Sequence, residues 1–217
     1  MIYDIHIASY LRSVASENEA FLCKIEEDAI KNGVPIIRKE MESFLRVMLD
    51  MLSPQNILEL GTATGYSSLL MATHLKKSGK PFKITTVEDF EPRFLEASKN
   101  IKAAGFFSEI NIIKGDALEV LDNLNDKYQF VFMDAAKAQY VNYLPKVIKL
   151  MDEGSALITD NVLLEGDLTL SRFVNERRDR TIHARMREYI DLLIHNENLS
   201  TTLIPIGDGI TLSYKKD

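Results

Sequence analysis

The chain has 217 residues, 46% of them apolar, with 26 Lys and Arg against 32 Asp and Glu and a formal charge of −6. That is enough for one well-packed domain and short for two, and the acidic balance argues against a general nucleic-acid binder while leaving room for a local basic patch. The apolar runs fall well short of the roughly 20 residues of a membrane span, and the opening "MIYDIHIASYLRS" does not read as a signal peptide. A single cysteine, Cys23, permits no internal disulfide and agrees with a reducing, cytoplasmic compartment. With it, the scattered His6, His74, His183 and His195 offer no zinc-ligand spacing.

The first fifty residues predict helices. "YLRSVASENEAFLCKIEEDAIKNG" (10–33) carries apolar side chains at helical spacing and stops at Asn32-Gly33. Val34-Pro35 restarts the chain in an extended form. "RKEMESFLRVMLDML" (38–52) is amphipathic, with Met41, Phe44, Leu45, Met48 and Leu52 on one face. From residue 56 the pattern changes. The β-like runs "NILELG", "KITTVE", "INIIKG", "YQFVFMD" and "GSALITD" are separated by segments long enough for helices, which predicts βαβ units and a buried parallel sheet. In "TTLIPIGDGITLSYKK" (201–216) two short apolar runs flank Gly207-Asp208-Gly209 and predict an antiparallel return. With no repeat, low-complexity segment or Gly/Ser linker, residues 1–217 read as one α/β domain, helical over 1–52 and with its core over 53–217.

In open parallel sheets, ligands bind beyond the carboxyl ends of the strands. The first such end is "LELGTATGYSS" (58–68), where Gly61 and Gly65 would let the backbone turn tightly against a ligand. Ala63 replaces the middle glycine of a dinucleotide fingerprint, and no Gly-Lys-Ser/Thr follows to make a P-loop; an ordinary βα turn accounts for the same spacing. Glu88 closes the second strand, where a carboxylate suits two ribose hydroxyls or simply faces water. Asp116 stands where it can cap the next helix, a place compatible with a second role beside an adenine ring. Asp134 ends the fourth strand, and Asp160 and Asn161 end the fifth. Two carboxylates and an amide oxygen on neighbouring strand ends would repel without a cation between them, and such hard oxygen donors suit Mg²⁺ or a similar ion. Lys137, three residues beyond Asp134, is then a candidate general base for an acidified hydroxyl, or a surface lysine in the first turn of a helix.

Taken together and in order, "LELGTATGYSS", "VED", "GDALE", "FMDAAKAQYVNY" and "ITDNVL" resemble the metal-dependent, S-adenosylmethionine-using O-methyltransferases of the catechol and caffeoyl-CoA type. The resemblance implies a Rossmann-like class I methyltransferase fold, with a seven-stranded, mostly parallel sheet and an antiparallel C-terminal strand. It implies S-adenosylmethionine contacts from Ile37, Glu59, Gly61, Tyr66, Ser67, Glu88, Asp116, Ala117 and Asp134. It also implies Mg²⁺ or Mn²⁺ on Asp134, Asp160 and Asn161, catalysis by Lys137 with Asp134, and a homodimer. "VPI" (34–36), "DNVL" (160–163), "RRDRTIHARMREY" (177–189) and "IPIGDGI" (204–210) are similar to one subgroup, the bacterial tRNA 5-hydroxyuridine methyltransferases. For that subgroup the acceptor is the 5-hydroxyl at the anticodon wobble position, the product is 5-methoxyuridine, and Arg177, Arg178 and Arg180 would meet tRNA phosphates. The same arginines can instead serve a helix or a dimer interface, since Ile182, Met186, Tyr189, Ile190 and Leu193 keep helical spacing. A small catechol or hydroxycinnamoyl acceptor is the alternative within the family. A dinucleotide-binding protein without methyl transfer is the alternative outside it, against which Ala63 speaks.

Overall fold

The computed structural model describes residues 5–171 and 180–216. Three helices, α1 (Ile5–Val14), α2 (Ala20–Lys31) and α3 (Lys39–Leu52), precede the alternating part of the chain. That part runs β1 (Asn56–Leu60), α4 (Tyr66–Lys76), β2 (Lys83–Glu88), α5 (Glu91–Ala103), β3 (Ile110–Lys114), α6 (Ala117–Asn123), β4 (Tyr128–Met133), α7 (Tyr140–Leu150) and β5 (Met151–Thr159). Helix α8 (Arg180–Ile194) and the hairpin of β6 (Leu199–Ile204) and β7 (Ile210–Lys215) follow. The strands form one seven-stranded sheet in the order β3-β2-β1-β4-β5-β7-β6. Strands β1 to β5 pair in parallel, and β7 is antiparallel to both β5 and β6. This is the seven-stranded, mostly parallel sheet with an antiparallel C-terminal strand that the resemblance implies. Strand β5 begins three residues before the predicted run, because Gly154 at φ 75° admits a register shift between Tyr128 and Phe130.

Alternation along the strands sorts the core into two layers. Ile57, Ile84, Phe130, Phe132 and Ile158 pack with the apolar faces of α2 to α5. Their neighbours Leu58, Leu60, Val87, Val131, Met133 and Leu157 pack with α6, α7 and α8. Both faces of the central strands are therefore dry, which is why their sequences read as continuous apolar runs. The order in which strands are added reverses between the parallel neighbours β1 and β4, and a crevice opens at their carboxyl ends.

Helical spacing over 10–33 is compatible with one helix or two; the structure has two, parted at 15–19. The break places Asn18 in a polar cluster that helical geometry would deny it. Asn18 Nδ2 donates to Glu42 Oε2 at 2.9 Å and to Tyr66 Oη at 2.8 Å, and Asn18 Oδ1 accepts from Arg46. Glu42, 1% exposed, also accepts from Tyr66 Oη at 2.6 Å and from Lys39 Nζ at 3.0 Å. Lys39 reaches Glu26 of α2 at 2.6 Å. One buried carboxylate thus joins α2, α3 and the first residue of α4. Arg46 Nη2 also lies 3.6 Å from Glu42 Oε2, so removing the carboxylate leaves two cations and a phenol without their common acceptor. Glu42→Ala is expected to lower unfolding free energy by ~2–3 kcal/mol in urea titration, with Glu42→Gln in between.

Candidate functional site

The strand ends are knitted together by main-chain bonds: Asp134 N–H to Leu60 C=O at 2.9 Å, Gly61 N–H to Val87 C=O at 3.1 Å, and Asp160 N–H to Met133 C=O at 3.0 Å. Gly61 has φ 97°, and a Cβ there would lie 2.0 Å from the Asp134 carbonyl oxygen. No residue but glycine fits. The loop it opens leads to Gly65 (φ 81°), which starts α4.

Two cavities flank this contact. The first, of about 460 Å³, is lined by Ile37, Gly61, Tyr66, Ser67, Glu88, Asp116, Ala117 and Asp134, all expected cofactor contacts, together with Phe90 and Tyr143. Glu88 Oε2 accepts from Ala63 N–H at 2.8 Å and Glu88 Oε1 from Phe90 N–H at 2.9 Å, so the carboxylate ties the glycine loop to the end of β2. Asp116 caps α6 as expected, accepting from Leu118 N–H at 2.8 Å and Glu119 N–H at 3.3 Å. Phe90, Gln139 and Tyr143 also face this cavity; they sit in loops or helix starts where no sequence pattern marks them.

The second cavity, of about 560 Å³, holds Asp134, Lys137, Asp160 and Asn161. It shares Pro35, Ile36, Ile37, Ala63, Asp134 and Ala135 with the first. Asn161 has φ 60°, a left-handed turn that an Asn tolerates, and its Nδ2 lies 3.3 Å from Asp134 Oδ1. Asp160 Oδ1 accepts from Asn161 N–H at 2.7 Å. Burial, and next the charge of Asp134, push the Asp160 carboxyl up to about 7. Burial likewise raises Asp134, while Lys137 and the Asn161 amide hold it down. These are two carboxylates short of positive charge, with an amide beside them that can turn its oxygen the same way. Among the described residues no three His, Cys, Asp or Glu converge as a metal cluster; the candidate donor set is two Asp and one Asn.

The same cavity contains residues that sequence reading passed over. Asp208 is brought there by the β5–β7 pairing, with Leu163 N–H on its carbonyl at 2.9 Å, and Arg38 meets it in an ion pair at 2.9 Å. The hairpin signal Gly207-Asp208-Gly209 was legible, but its neighbour across the sheet was not. Gly209 (φ 82°) is needed because a Cβ would fall 2.3 Å from Leu163 Cγ. The arginine segment is divided. Arg177 and Arg178 lie outside the described residues. Arg180 is the first residue of α8, half-buried. Arg185 and Arg187 donate to main-chain carbonyls of Ala138, Leu168 and Leu170.

Residues 12–216 match a protein family described as O-methyltransferase. A provisionally assigned caffeoyl-CoA O-methyltransferase of Arabidopsis thaliana is 36% identical over 179 residues, covering 78% of this chain and 73% of that protein. Caffeoyl-CoA O-methyltransferase 2 of Eucalyptus globulus is 31% identical over 181 residues, covering 78% and 70%. The solved structure of a Staphylococcus aureus protein, provisionally assigned as a caffeoyl-CoA O-methyltransferase, superposes with a TM-score of 0.89 at 31% identity over 97% of this chain and 99% of that one.

Glu59 stands apart from the other expected cofactor contacts. It is fully buried beneath the glycine loop, not on the cavity wall. It accepts from Ser67 Oγ at 2.5 Å, from Ser68 Oγ, and from Thr86 Oγ1 at 2.6 Å; Thr86 is in turn paired with Thr62 Oγ1 at 2.6 Å. Strand alternation explains the placement, since Glu59 faces α4 between Leu58 and Leu60, which face the other layer. Burial pushes Glu59 up to about 7, against three hydroxyl donors that hold it down. An acid raised in the folded state binds a proton there that the unfolded chain has released, so between pH ~4.5 and ~7 its contribution falls as pH rises. Glu59→Gln is expected to flatten that part of the stability curve by a few kcal/mol in denaturant titrations at stepped pH. Parallel curves for the two proteins would exclude this placement of the proton.

Proposed function

The chain belongs to the O-methyltransferase family, of the S-adenosylmethionine-dependent caffeoyl-CoA type, and on that premise we propose that it methylates one of two adjacent oxygens on a small aromatic acceptor such as a catechol or hydroxycinnamoyl ester. The observation that carries the reading is the shared wall: the cavity of expected cofactor contacts and the cavity of acids and Lys137 adjoin across Ala63, Asp134 and Ala135. When bound, S-adenosylmethionine supplies an electrophilic methyl group, and a divalent ion supplies positive charge that acidifies the acceptor's hydroxyls.

Each residue then has a chemical role. Glu88 offers carboxylate oxygens to ribose hydroxyls, and Asp116 and Ala117 border the base. Asp134, Asp160 and Asn161 fit a divalent ion, because burial raises both carboxyls, Asp208 adds to each and the charge of Asp134 adds to Asp160, a cost that a cation offsets. Lys137 Nζ, in its neutral form and beside a bound cation that disfavours its charge, is the group placed to receive the acceptor hydroxyl's proton. Ile36, Ile37 and Met41 give the acceptor cavity an apolar wall that suits an aromatic ring and limits water.

The tRNA acceptor is the narrower alternative. It rests on four resembling stretches; of the arginines expected at tRNA, Arg177 and Arg178 lie outside the described residues, and further along the same stretch Arg185 and Arg187 are engaged with the protein's own carbonyls. The caffeoyl-CoA relatives favour the small acceptor. We also propose a homodimer through the N-terminal helices, where Tyr10 of α1 and Met51 of α3 are 67% and 74% exposed. No helix among the described residues is long and apolar enough to cross a membrane.

Purified protein, labelled S-adenosylmethionine and Mg²⁺ or Mn²⁺ test the reading, with a chelator arm and with catechol and 5-hydroxyuridine-containing tRNA as parallel acceptors. The expected outcome is metal-dependent labelling of catechol; labelling of tRNA alone would move the acceptor to RNA. Asp160→Ala should reduce metal-dependent turnover by ~10²-fold or more while S-adenosylmethionine affinity in calorimetry stays within about twofold. Full turnover by that variant would remove Asp160 from the site.

A further inference from the structure

Lys137 is carried by a short 3₁₀ turn, Lys137–Gln139, none of whose residues is fully buried. Its own main-chain support is slight: Gln139 N–H to Ala136 C=O at 2.8 Å, and the Tyr140 N–H on the Lys137 carbonyl. Three-residue 3₁₀ turns have poor hydrogen-bond geometry and hold little by themselves. The turn is instead gripped from α8 at two points. Arg185 Nη1 donates to the Ala138 carbonyl at 2.8 Å. Four residues on, and so on the same face of the helix, the fully buried Tyr189 meets the fully buried Tyr140 ring edge-on, centroids 5.3 Å apart. Tyr189 is itself anchored to β5 through Thr159 Oγ1 at 2.6 Å. Arg187, by contrast, holds Leu168 and Leu170 at 2.8 and 3.1 Å, in and just after the other 3₁₀ segment, Leu164–Thr169.

We propose that Arg185 is a positioning residue for Lys137, holding the turn that presents the lysine to the acceptor cavity through its charged hydrogen bond to the Ala138 carbonyl. A guanidinium is suited to this. It is charged at every working pH, and a charge-assisted bond to a carbonyl is stronger than a neutral one. The inference gives one member of the basic stretch 177–189 a purpose unrelated to phosphate binding. Its catalytic consequence rests on the reading that Lys137 acts in the acceptor cavity.

The test uses the full chain without added ligand, then the methyl-transfer assay. Arg185→Ala should speed amide hydrogen exchange over residues 136–140 roughly fivefold. It should also change the rate at which acetic anhydride acylates Lys137, measured by peptide mass against Lys102 on α5. Arg185→Lys, which keeps a cationic donor, should recover part of both effects and serves as the comparison if the alanine variant does not fold. Arg187→Ala should leave exchange over 136–140 unchanged. Unaltered exchange and acylation in a folded Arg185→Ala protein would overturn the proposal. In turnover on catechol, the Arg185→Ala/Lys137→Ala double variant should be no slower than Lys137→Ala alone, because Arg185 acts through the lysine; multiplied losses would overturn it too. Full activity of Lys137→Ala would instead sink the lysine's role as base, while exchange and acylation still decide whether Arg185 holds the turn.

Discussion

The contact of Gly61 with the Asp134 carbonyl sets the distances of everything around it. Parallel strands β1 and β4 end side by side, and their chains must leave the sheet in opposite directions. A Cβ at residue 61 would lie 2.0 Å from that carbonyl oxygen, so the two segments approach only because residue 61 has none. Gly65 is less constrained, its added Cβ meeting Ala97 at an ordinary 3.4 Å. From the close contact follow the glycine loop on one side, the Asp134-to-Lys137 segment on the other, and the shared wall between the two cavities. Below the loop, the Glu59 carboxyl and its hydroxyl partners supply a polar floor that a wholly apolar strand could not.

The N-terminal helices are part of the site and not an appendage. Their connection to the core is polar at two places, a hydrogen bond and an ion pair. Glu42 binds Tyr66 beside the first cavity, and Arg38 binds Asp208 at the second. Just before them the extended segment 35–37 walls both cavities. Arg38 holds its C-terminal flank, and Val34 N–H on the Ala29 carbonyl at 2.8 Å holds its N-terminal one. The Arg38–Asp208 pair has a further electrostatic role. Asp208 adds a third negative charge near Asp134 and Asp160, and a guanidinium 2.9 Å away offsets it.

Helix α8 connects the antiparallel end of the sheet to the acceptor side. One of its faces is apolar and fills the second core layer with Met186, Tyr189 and Leu193. Its arginines reach past that layer to main-chain carbonyls that no secondary structure satisfies. A basic stretch on an acidic protein therefore need not signal an anionic partner. Carbonyls left free by 3₁₀ segments recruit guanidinium groups just as phosphates do.

The sequence by itself determined the strands, their order of appearance, the parallel core with its antiparallel return, and the polar residues at the strand ends. Each of these follows from local rules: apolar runs of strand length, glycines where the chain must turn, and polar residues abruptly ending an apolar run. It also marked Ile37, Gly61, Tyr66, Ser67, Glu88, Asp116, Ala117 and Asp134, which line one cavity together. Tertiary structure alone decided the rest. Helical spacing over 10–33 left one or two helices open, and the break between them falls where Asn18 bonds to partners 24 and 48 residues away. Glu59 is turned under the loop by strand parity, which local spacing near a glycine motif does not reveal. Asp208 and Arg38, 170 residues apart, meet because β7 pairs with β5. Arg185 reads as a surface charge until α8 is laid against the turn of Lys137. In every case the deciding partner is distant along the chain, and its free energy exceeds the weak local preference it overrides.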